Sequence, residues 1–190
     1  MTDCLGSRLY VALVHYPVID KNGATIASAV TNLDLHDIAR ACRTYGVAGY
    51  FIITPLEDQM VLVQRILDHW TIGAGGTYNP KRRQALELVR VRATFDAAVD
   101  QISGAHGQRP RIVATTARRD SGNLSCHALR EMLAGSAVPV LLALGTAWGL
   151  CGSFIDAADY VLEPLKGTCE YNHLSVRSAA AIILDRLLGE

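Results

Sequence analysis

VLLALGTAWGL (residues 140–150), DYVLEPLKG (159–167) and EYNHLSVRSAAAIILDRLL (170–188) carry most of the information in this sequence. Two short apolar runs, 138–143 and 160–162, read as buried strands, and each leads into a loop bearing glycine. The third piece is a polar bend at 170–173 that feeds a helix rich in small residues. Loops at the ends of neighbouring elements converge on one pocket. Rich in Gly and Pro, they offer backbone N–H and C=O groups more than side-chain chemistry. That suits a nucleoside-type ligand read by main-chain hydrogen bonds.

Working outward, apolar runs and helical patterns alternate along the chain. LYVALVH (9–15) and GYFIIT (49–54) read as strands. DKNG (20–23) has turn chemistry. From Leu35 the apolar positions Leu35, Ile38, Ala39, Cys42 and Tyr45 fall at helical spacing, with Asn32 or Asp34 as cap and Gly46 as terminator. A second helix spans 57–70, with Pro55 at its first turn. TIGAGGTYNP (71–80) is too Gly-rich for regular structure. LELVRV (86–91) reads as a third strand or as continued helix. Thr94 caps a helix ending near Gly104. RIVATT (111–116), 139–144 and 160–162 complete six strands, with helices at 124–133 and 174–188. The expected fold is α/β, a mostly parallel sheet of about six strands with helices on both faces. In such sheets ligands bind beyond the strand C-termini. The loops TTARR (115–119), GTAWG (145–149) and EPLKG (163–167) are therefore the expected pocket.

The bulk properties narrow the classes. At 190 residues the chain reads as one domain with room for a substantial core. Half its residues are hydrophobic and 19% charged, which excludes intrinsic disorder. A net charge of zero gives no global field for nucleic acid, although Lys81, Arg82, Arg83, Arg90 and Arg92 make a local basic stretch. No apolar run reaches the roughly 20 residues of a membrane span, and no signal peptide is expected. The five cysteines form no CxxC pair and read as reduced thiols of a cytoplasmic protein, with neither disulfides nor a zinc site.

Individual residues carry competing readings. Arg40 shares a helix face with Asp37 and Thr44; it either pairs with Asp37 or grips a phosphate. His15 ends a strand and either lines the pocket or braces the core. His173, in the polar bend, either meets the ligand or braces the bend. Cys126 and His127 are adjacent helical residues pointing in different directions, which disfavours a nucleophilic dyad. In TYNPKRR (77–83), Lys81, Arg82 and Arg83 suit phosphates while Tyr78 suits a base, unless the segment is simply a solvated loop. Arg118 and Arg119 lie beside the expected pocket.

The final motifs, LALGTAWG (142–149), LEPLKG (162–167) and YNHLSVRSAAAI (171–182), resemble those of the SPOUT class of S-adenosylmethionine-dependent RNA methyltransferases, whose chain ends in a deep trefoil knot. IARACRTYGV (38–47) is similar to the first motif of the ribose-methylating branch and places Arg40 at its catalytic arginine. HYPV (15–18) and YNPKRR (78–83) extend the likeness to a small stand-alone bacterial family of this class. The resemblance implies one domain over 1–190, with a knot over about 110–180, and a homodimer with active sites near the shared interface. It implies S-adenosylmethionine as cofactor, contacted by Thr115, Leu144, Gly145, Gly149, Leu162, Pro164, Leu165, Gly167, Asn172, Leu174 and Ser175. Three positions depart from the pattern. Asn32 lies two residues further from Arg40, His173 stands where Asn is usual, and Glu163 replaces an apolar residue.

The expected function is methylation of tRNA or rRNA, at a ribose 2′-oxygen or a guanine ring nitrogen. The alternative is a knotted module that binds S-adenosylmethionine or RNA without catalysis. An oxidoreductase is disfavoured by the missing GxGxxG fingerprint.

Overall fold

Continuous apolar runs make the central strands. The computed structural model describes residues 5–118 and 122–190. Its elements, in chain order, are β1 (Leu9–Val14), β2 (Val18–Ile19), β3 (Thr25–Ile26), α1 (Asn32–Thr44), β4 (Gly49–Ile53), α2 (Glu57–Thr71), α3 (Ala74–Tyr78) and α4 (Pro80–Leu86). They continue with β5 (Val89–Arg92), α5 (Phe95–His106), β6 (Arg111–Thr115), α6 (Cys126–Gly135), β7 (Val140–Gly145), α7 (Gly152–Ala157), β8 (Tyr160–Leu162) and α8 (Val176–Leu188). Six strands form one sheet in the order β5-β4-β1-β7-β6-β8, and every pairing in it is parallel. Every residue of β4 is buried, as expected for a strand covered on both faces.

Alternation of side chains divides the core into two layers. Leu9, Val11 and Leu13 of β1 pack with Leu35, Ile38 and Cys42 of α1 and with Ile183, Leu184 and Leu187 of α8. Ala12 and Val14 point the other way, toward Ala98, Val99 and Ile102 of α5. The sheet fans in both directions from β1. The chain builds β4 and β5 on one side of it, then β7, β6 and β8 on the other. The cleft beyond the C-terminal ends of β1 and β7 is thus a topological switch point, where open α/β sheets bind ligands.

Several local expectations are corrected. The N-cap of α1 is Thr31, neither Asn32 nor Asp34, both of which lie inside the helix. The Thr31 hydroxyl donates to Asp34 Oδ2 at 2.7 Å while its oxygen accepts from the Asp34 amide at 3.2 Å, a reciprocal cap. Residues 74–78 are helical despite two glycines. A Cβ on Gly75 would stand 2.8 Å from His69 Nε2 and from Trp70 Cε3, and one on Gly76 would stand 2.5 Å from the Trp70 carbonyl oxygen. These glycines serve close packing rather than a turn. Leu86 ends α4, and the third sheet strand in sequence begins only at Val89. Pro55 precedes the N-cap Leu56 instead of opening α2, and α5 runs past Gly104 to His106, where Gly107 in the left-handed region ends it. The helices expected from Leu124 and Leu174 start at Cys126 and Val176, each capped by a serine. The β2–β3 hairpin and α7 are additional to the sequence reading.

Candidate functional site

Four chain segments meet at the switch point. The first follows β1. Its hairpin turns on Asp20, whose Oδ1 accepts from the amides of Asn22 (2.8 Å) and Ala24 (2.9 Å). The second is the loop after β7. The Thr146 amide donates to Val14 (3.2 Å), and Gly149 closes the turn on Thr146 (2.9 Å). The hairpin clamps this loop through Ile19 N–H to Gly149 O (3.0 Å) and Trp148 N–H to Ile19 O (3.1 Å). Ala147 and Gly149 hold positive φ, 51° and 106°. A Cβ on Gly145 would approach the Leu150 nitrogen to 2.5 Å, so the loop requires glycine there. The third segment follows β6, and the fourth joins β8 to α8. Asn172 ties these two together by donating from Nδ2 to Ala117 O at 2.9 Å.

These segments enclose a cavity of about 1240 Å³. Its apolar wall includes Leu144, Leu150, Ile155, Leu162, Leu165 and Ile183; its polar groups include Ser28, Thr115, Thr146 and Asn172. Charge enters from Asp20, Asp34 and Glu163 and from Lys21, Arg118 and Arg177.

Two polar networks lie along the wall contributed by α1 and β1. Arg177, in the first turn of α8, donates from Nη1 to Asp34 Oδ1 at 3.2 Å, and its Nε stands 3.7 Å from Asp37 Oδ2. Asp34 is buried and Arg177 half-buried, so the pair is partly shielded from water. Beneath the floor, fully buried His15 reaches Ser28 through Nδ1 (2.9 Å), Ser28 meets Thr146, and Thr146 donates to Val14 O (2.9 Å). Burial lowers the His15 pKa to about 4, against the opposing pull of Asp34 and the Ala29 backbone. Neutral His15 satisfies the chain when its proton sits on Nδ1, since each hydroxyl has a single proton to give. Its Nε2 has no hydrogen-bond partner among the described residues.

Of the cofactor-contacting residues expected from sequence, Thr115, Leu144, Gly145, Gly149, Leu162, Leu165, Asn172, Leu174 and Ser175 line this cavity. Pro164 is buried and Gly167 exposed, and neither lines it. Arg118 stands at the cavity, whereas Arg119 falls outside the described residues. Arg40 is exposed on α1 and does not line the cavity, and the carboxylate of Asp37 pairs with Arg177 instead. Lys81, Arg82 and Arg83 lie on α4 and do not line the cavity. The Arg82 guanidinium lies 4.4 Å from the Trp70 ring centroid, and Arg83 pairs with Glu87 at 2.9 Å. His173 lines the cavity and stacks edge-on with Tyr171, and His15 sits behind Ser28. Among the described residues no group of three His, Cys, Asp or Glu side chains is arranged to hold a metal. No helix among them is long and apolar enough to cross a membrane.

Sequence reasoning missed Arg177 and the role of Asp34. One signal was present. A cation in the first turn of a helix opposes the macrodipole, so Arg177 inside SVRSAAA needs a carboxylate from elsewhere.

A family model for SAM-dependent RNA methyltransferases matches residues 8–189. A tRNA (guanine-N(1)-)-methyltransferase of Oleidesulfovibrio alaskensis is 48% identical over 97% of this chain and 43% of its own length. The chain thus spans less than half of that curated relative. An uncharacterized protein of Aquifex aeolicus is 38% identical over 97% of this chain and 90% of its own. Among solved structures, a probable methyltransferase from Bordetella pertussis Tohama I superposes with a TM-score of 0.63 at 16% identity, covering 96% of this chain and 95% of that one. That likeness bears on the fold, whereas the match over 8–189 bears on descent and takes in every segment around the cavity: the chain belongs to the SAM-dependent RNA methyltransferase family.

Proposed function

We propose that this protein binds S-adenosylmethionine in the switch-point cavity and transfers its methyl group to RNA, with tRNA as the first substrate to test and rRNA as the second. The observation that carries the reading is the cavity itself, set within the stretch that the family model matches. Its chemistry fits the ligand. An apolar wall from Leu144, Leu150, Leu162 and Leu165 suits a purine face, and main-chain groups of the strand-end loops suit its edge. Charged groups of both signs suit an amino-acid end. Thr115, Gly145, Gly149, Asn172, Leu174 and Ser175 complete the proposed contacts; Pro164 and Gly167 act by shaping their loop.

When bound, S-adenosylmethionine supplies an electrophilic methyl group. The protein's part is to orient the RNA nucleophile, to exclude water and to receive a proton. The name of the Oleidesulfovibrio relative, which specifies guanine N1 of tRNA, supports a ring nitrogen. A ribose 2′-oxygen is the other candidate acceptor. Arg118, together with Lys81, Arg82, Arg83 and Arg119, would receive the RNA backbone. Arg40 would act from the exposed face of α1, on an RNA phosphate or across a homodimer interface. The chain is read as one domain over 1–190 with its tail knotted. In support, the Asn123 amide donates to Val161 O and the Glu163 amide to Leu124 O, both at 2.9 Å, so residues 123–124 lie along the edge strand from which the tail departs. A cytoplasmic setting accords with RNA as substrate.

The test combines calorimetry with S-adenosylmethionine and mass spectrometry of nucleosides after incubation with undermethylated RNA. Micromolar binding and one methylated nucleoside are expected. Binding without transfer to any RNA would reduce the protein to a binding module, and Arg40→Ala with undiminished transfer would remove Arg40 from the reaction.

A further inference from the structure

We infer that the rings of Trp148 and Tyr171 are stacking platforms for unpaired bases, so that the acceptor nucleotide is drawn from a single-stranded stretch or loop of RNA and not from a duplex. This rests on the methyltransferase reading above and adds the form of the substrate and two residues that recognise it. Neither ring has a place in the core: Trp148 is 67% exposed and Tyr171 72%. Large rings left in water beside a cavity mark a contact surface.

Main chain holds each ring out. Trp148 lies between Ala147 and Gly149, both at positive φ. Its amide donates to Ile19 O at 3.1 Å, and the Ile19 amide returns a bond to Gly149 O at 3.0 Å. This clamp fixes the tip of the β7 loop, while the indole itself meets no ring and no hydrogen-bond partner among the described residues. Tyr171 precedes Asn172, whose Nδ2 anchors that stretch on Ala117 O at 2.9 Å. The Tyr171 ring meets His173 with centroids 5.4 Å apart and planes at 73°, a contact that leaves at least one phenol face open. Trp148, Asn172, His173 and Leu174 line the cavity. Each platform is thus rooted in a loop proposed to hold the cofactor, and a base stacked on it belongs to a neighbour of the acceptor nucleotide.

Three occupants compete for these rings. The cofactor's purine has its own apolar wall deeper in the cavity, where Leu144 and Leu162 are buried. A second copy of the chain would want a continuous apolar patch depleted of charge. Beside Trp148, however, the hairpin presents Asp20, Lys21 and Asn22, and the loop after β6 adds Arg118. Aromatic faces interleaved with cations match a single strand, whose bases stack while its phosphates meet Lys and Arg. In a duplex both faces of each base are already stacked, and the rings have nothing to receive.

The experiment uses the full chain with S-adenosylhomocysteine, which fills the cofactor site without turnover. A fluorescein-labelled RNA of about twelve nucleotides, free or paired with its complement, is titrated and read by anisotropy. The wild type should prefer the free strand. Trp148→Leu and Tyr171→Leu should each weaken that binding about tenfold, whereas Trp148→Phe and Tyr171→Phe should stay within about threefold. Calorimetry should show S-adenosylhomocysteine bound alike by all five proteins. Trp148 is one of two tryptophans, so in Trp70→Phe its emission reports alone; the single strand should quench it and inorganic polyphosphate should not. In methylated tRNA, mass spectrometry of nuclease fragments should place the methyl group in a loop. Equal affinity for the duplex, Leu variants that bind as the wild type does, or equal quenching by polyphosphate would overturn the inference. So would a methyl group within a stem, or a wild-type dimer that Trp148→Leu dissociates in sedimentation, which would assign the ring to a second copy. If Trp70→Phe fails to fold, the anisotropy series decides by itself. These outcomes leave methyl transfer to RNA standing. Absence of transfer by the wild type to any RNA would instead sink the underlying reading.

Discussion

Ala147 holds φ at 51°, the one non-glycine among the described residues in the left-handed region, and it does so within the cavity loop. For an L-residue that conformation costs about 1–2 kcal/mol. Glycine would relieve it but would return about 0.4–1 kcal/mol through the freer unfolded chain. Ala147→Gly should therefore stabilise by about 0–1.6 kcal/mol. Ala147→Val, β-branched, should destabilise by more than that margin, and urea midpoints of the two variants would separate them. Gly145 poses the opposite problem. The added Cβ of Gly145→Ala meets main chain, the Leu150 nitrogen at 2.5 Å and the Gly149 carbonyl carbon at 2.9 Å, so no side-chain rotation can absorb it. The loop must shift, at a cost of about 1–3 kcal/mol. Calorimetry should then show S-adenosylmethionine binding weakened at least tenfold, whereas Gly104→Ala on α5, with nothing within 4 Å of the new atom, should bind as the wild type does.

At the scale of elements, the edge of the sheet hangs on one carboxylate. Asp159 Oδ2 accepts from the Ile112 amide at 2.7 Å and lies 3.0 Å from Arg109 Nη1, joining the start of β6 to the turn before β8. The Arg109 pair is exposed and contributes about 0–1 kcal/mol. The amide bond is different, because its loss leaves a half-buried strand donor unpaired, at about 1–3 kcal/mol. Asp159→Ala should thus destabilise clearly more than Arg109→Ala, and hydrogen exchange at Ile112 should accelerate only in the former. Such ties are illegible in sequence, because they span 47 residues of chain. What was legible followed from local pattern. The runs at 49–53 and 140–145 are apolar throughout because helices cover both faces of the sheet, and that alone separates them from amphipathic helix. The glycines of 71–80 misled because close packing and turn formation select the same residue. The cavity loops could be read because positive φ and close approach leave visible glycines at 145 and 149. Arg40 and Arg177 show the limit: helical spacing says which face a residue shares, and only the packing of α8 against α1 says which arginine reaches the cavity.

The whole molecule is joined around the end of β1, and His15 is where that joint meets solution pH. Its ring links the hairpin side, through Ser28, to the β7 loop, through Thr146, so its charge state touches three segments at once. Folding holds its pKa at about 4, and burial is the dominant cause. In the unfolded chain a histidine titrates near 6.5. Below that value the unfolded chain binds a proton that the folded chain refuses, so this residue makes stability fall as pH drops from about 6.5 toward about 4 and has no effect above that window. The full difference is about 3 kcal/mol. His36, also lowered by burial and by Arg82 nearby, pushes in the same direction but is untouched by changes at position 15. Replacing His15 with Gln preserves a hydrogen-bonding partner for Ser28 and removes the titration. Urea unfolding of both proteins at pH 7.5, 5.5 and 4.5 should show the wild type losing stability faster than His15→Gln between the first two points. Carboxylate protonation near pH 4 acts on the two proteins alike and cancels in the comparison. Parallel curves from pH 7.5 to 4.5 would mean that the buried ring accepts a proton in place, and that the joint beneath the cavity is looser than its hydrogen bonds imply.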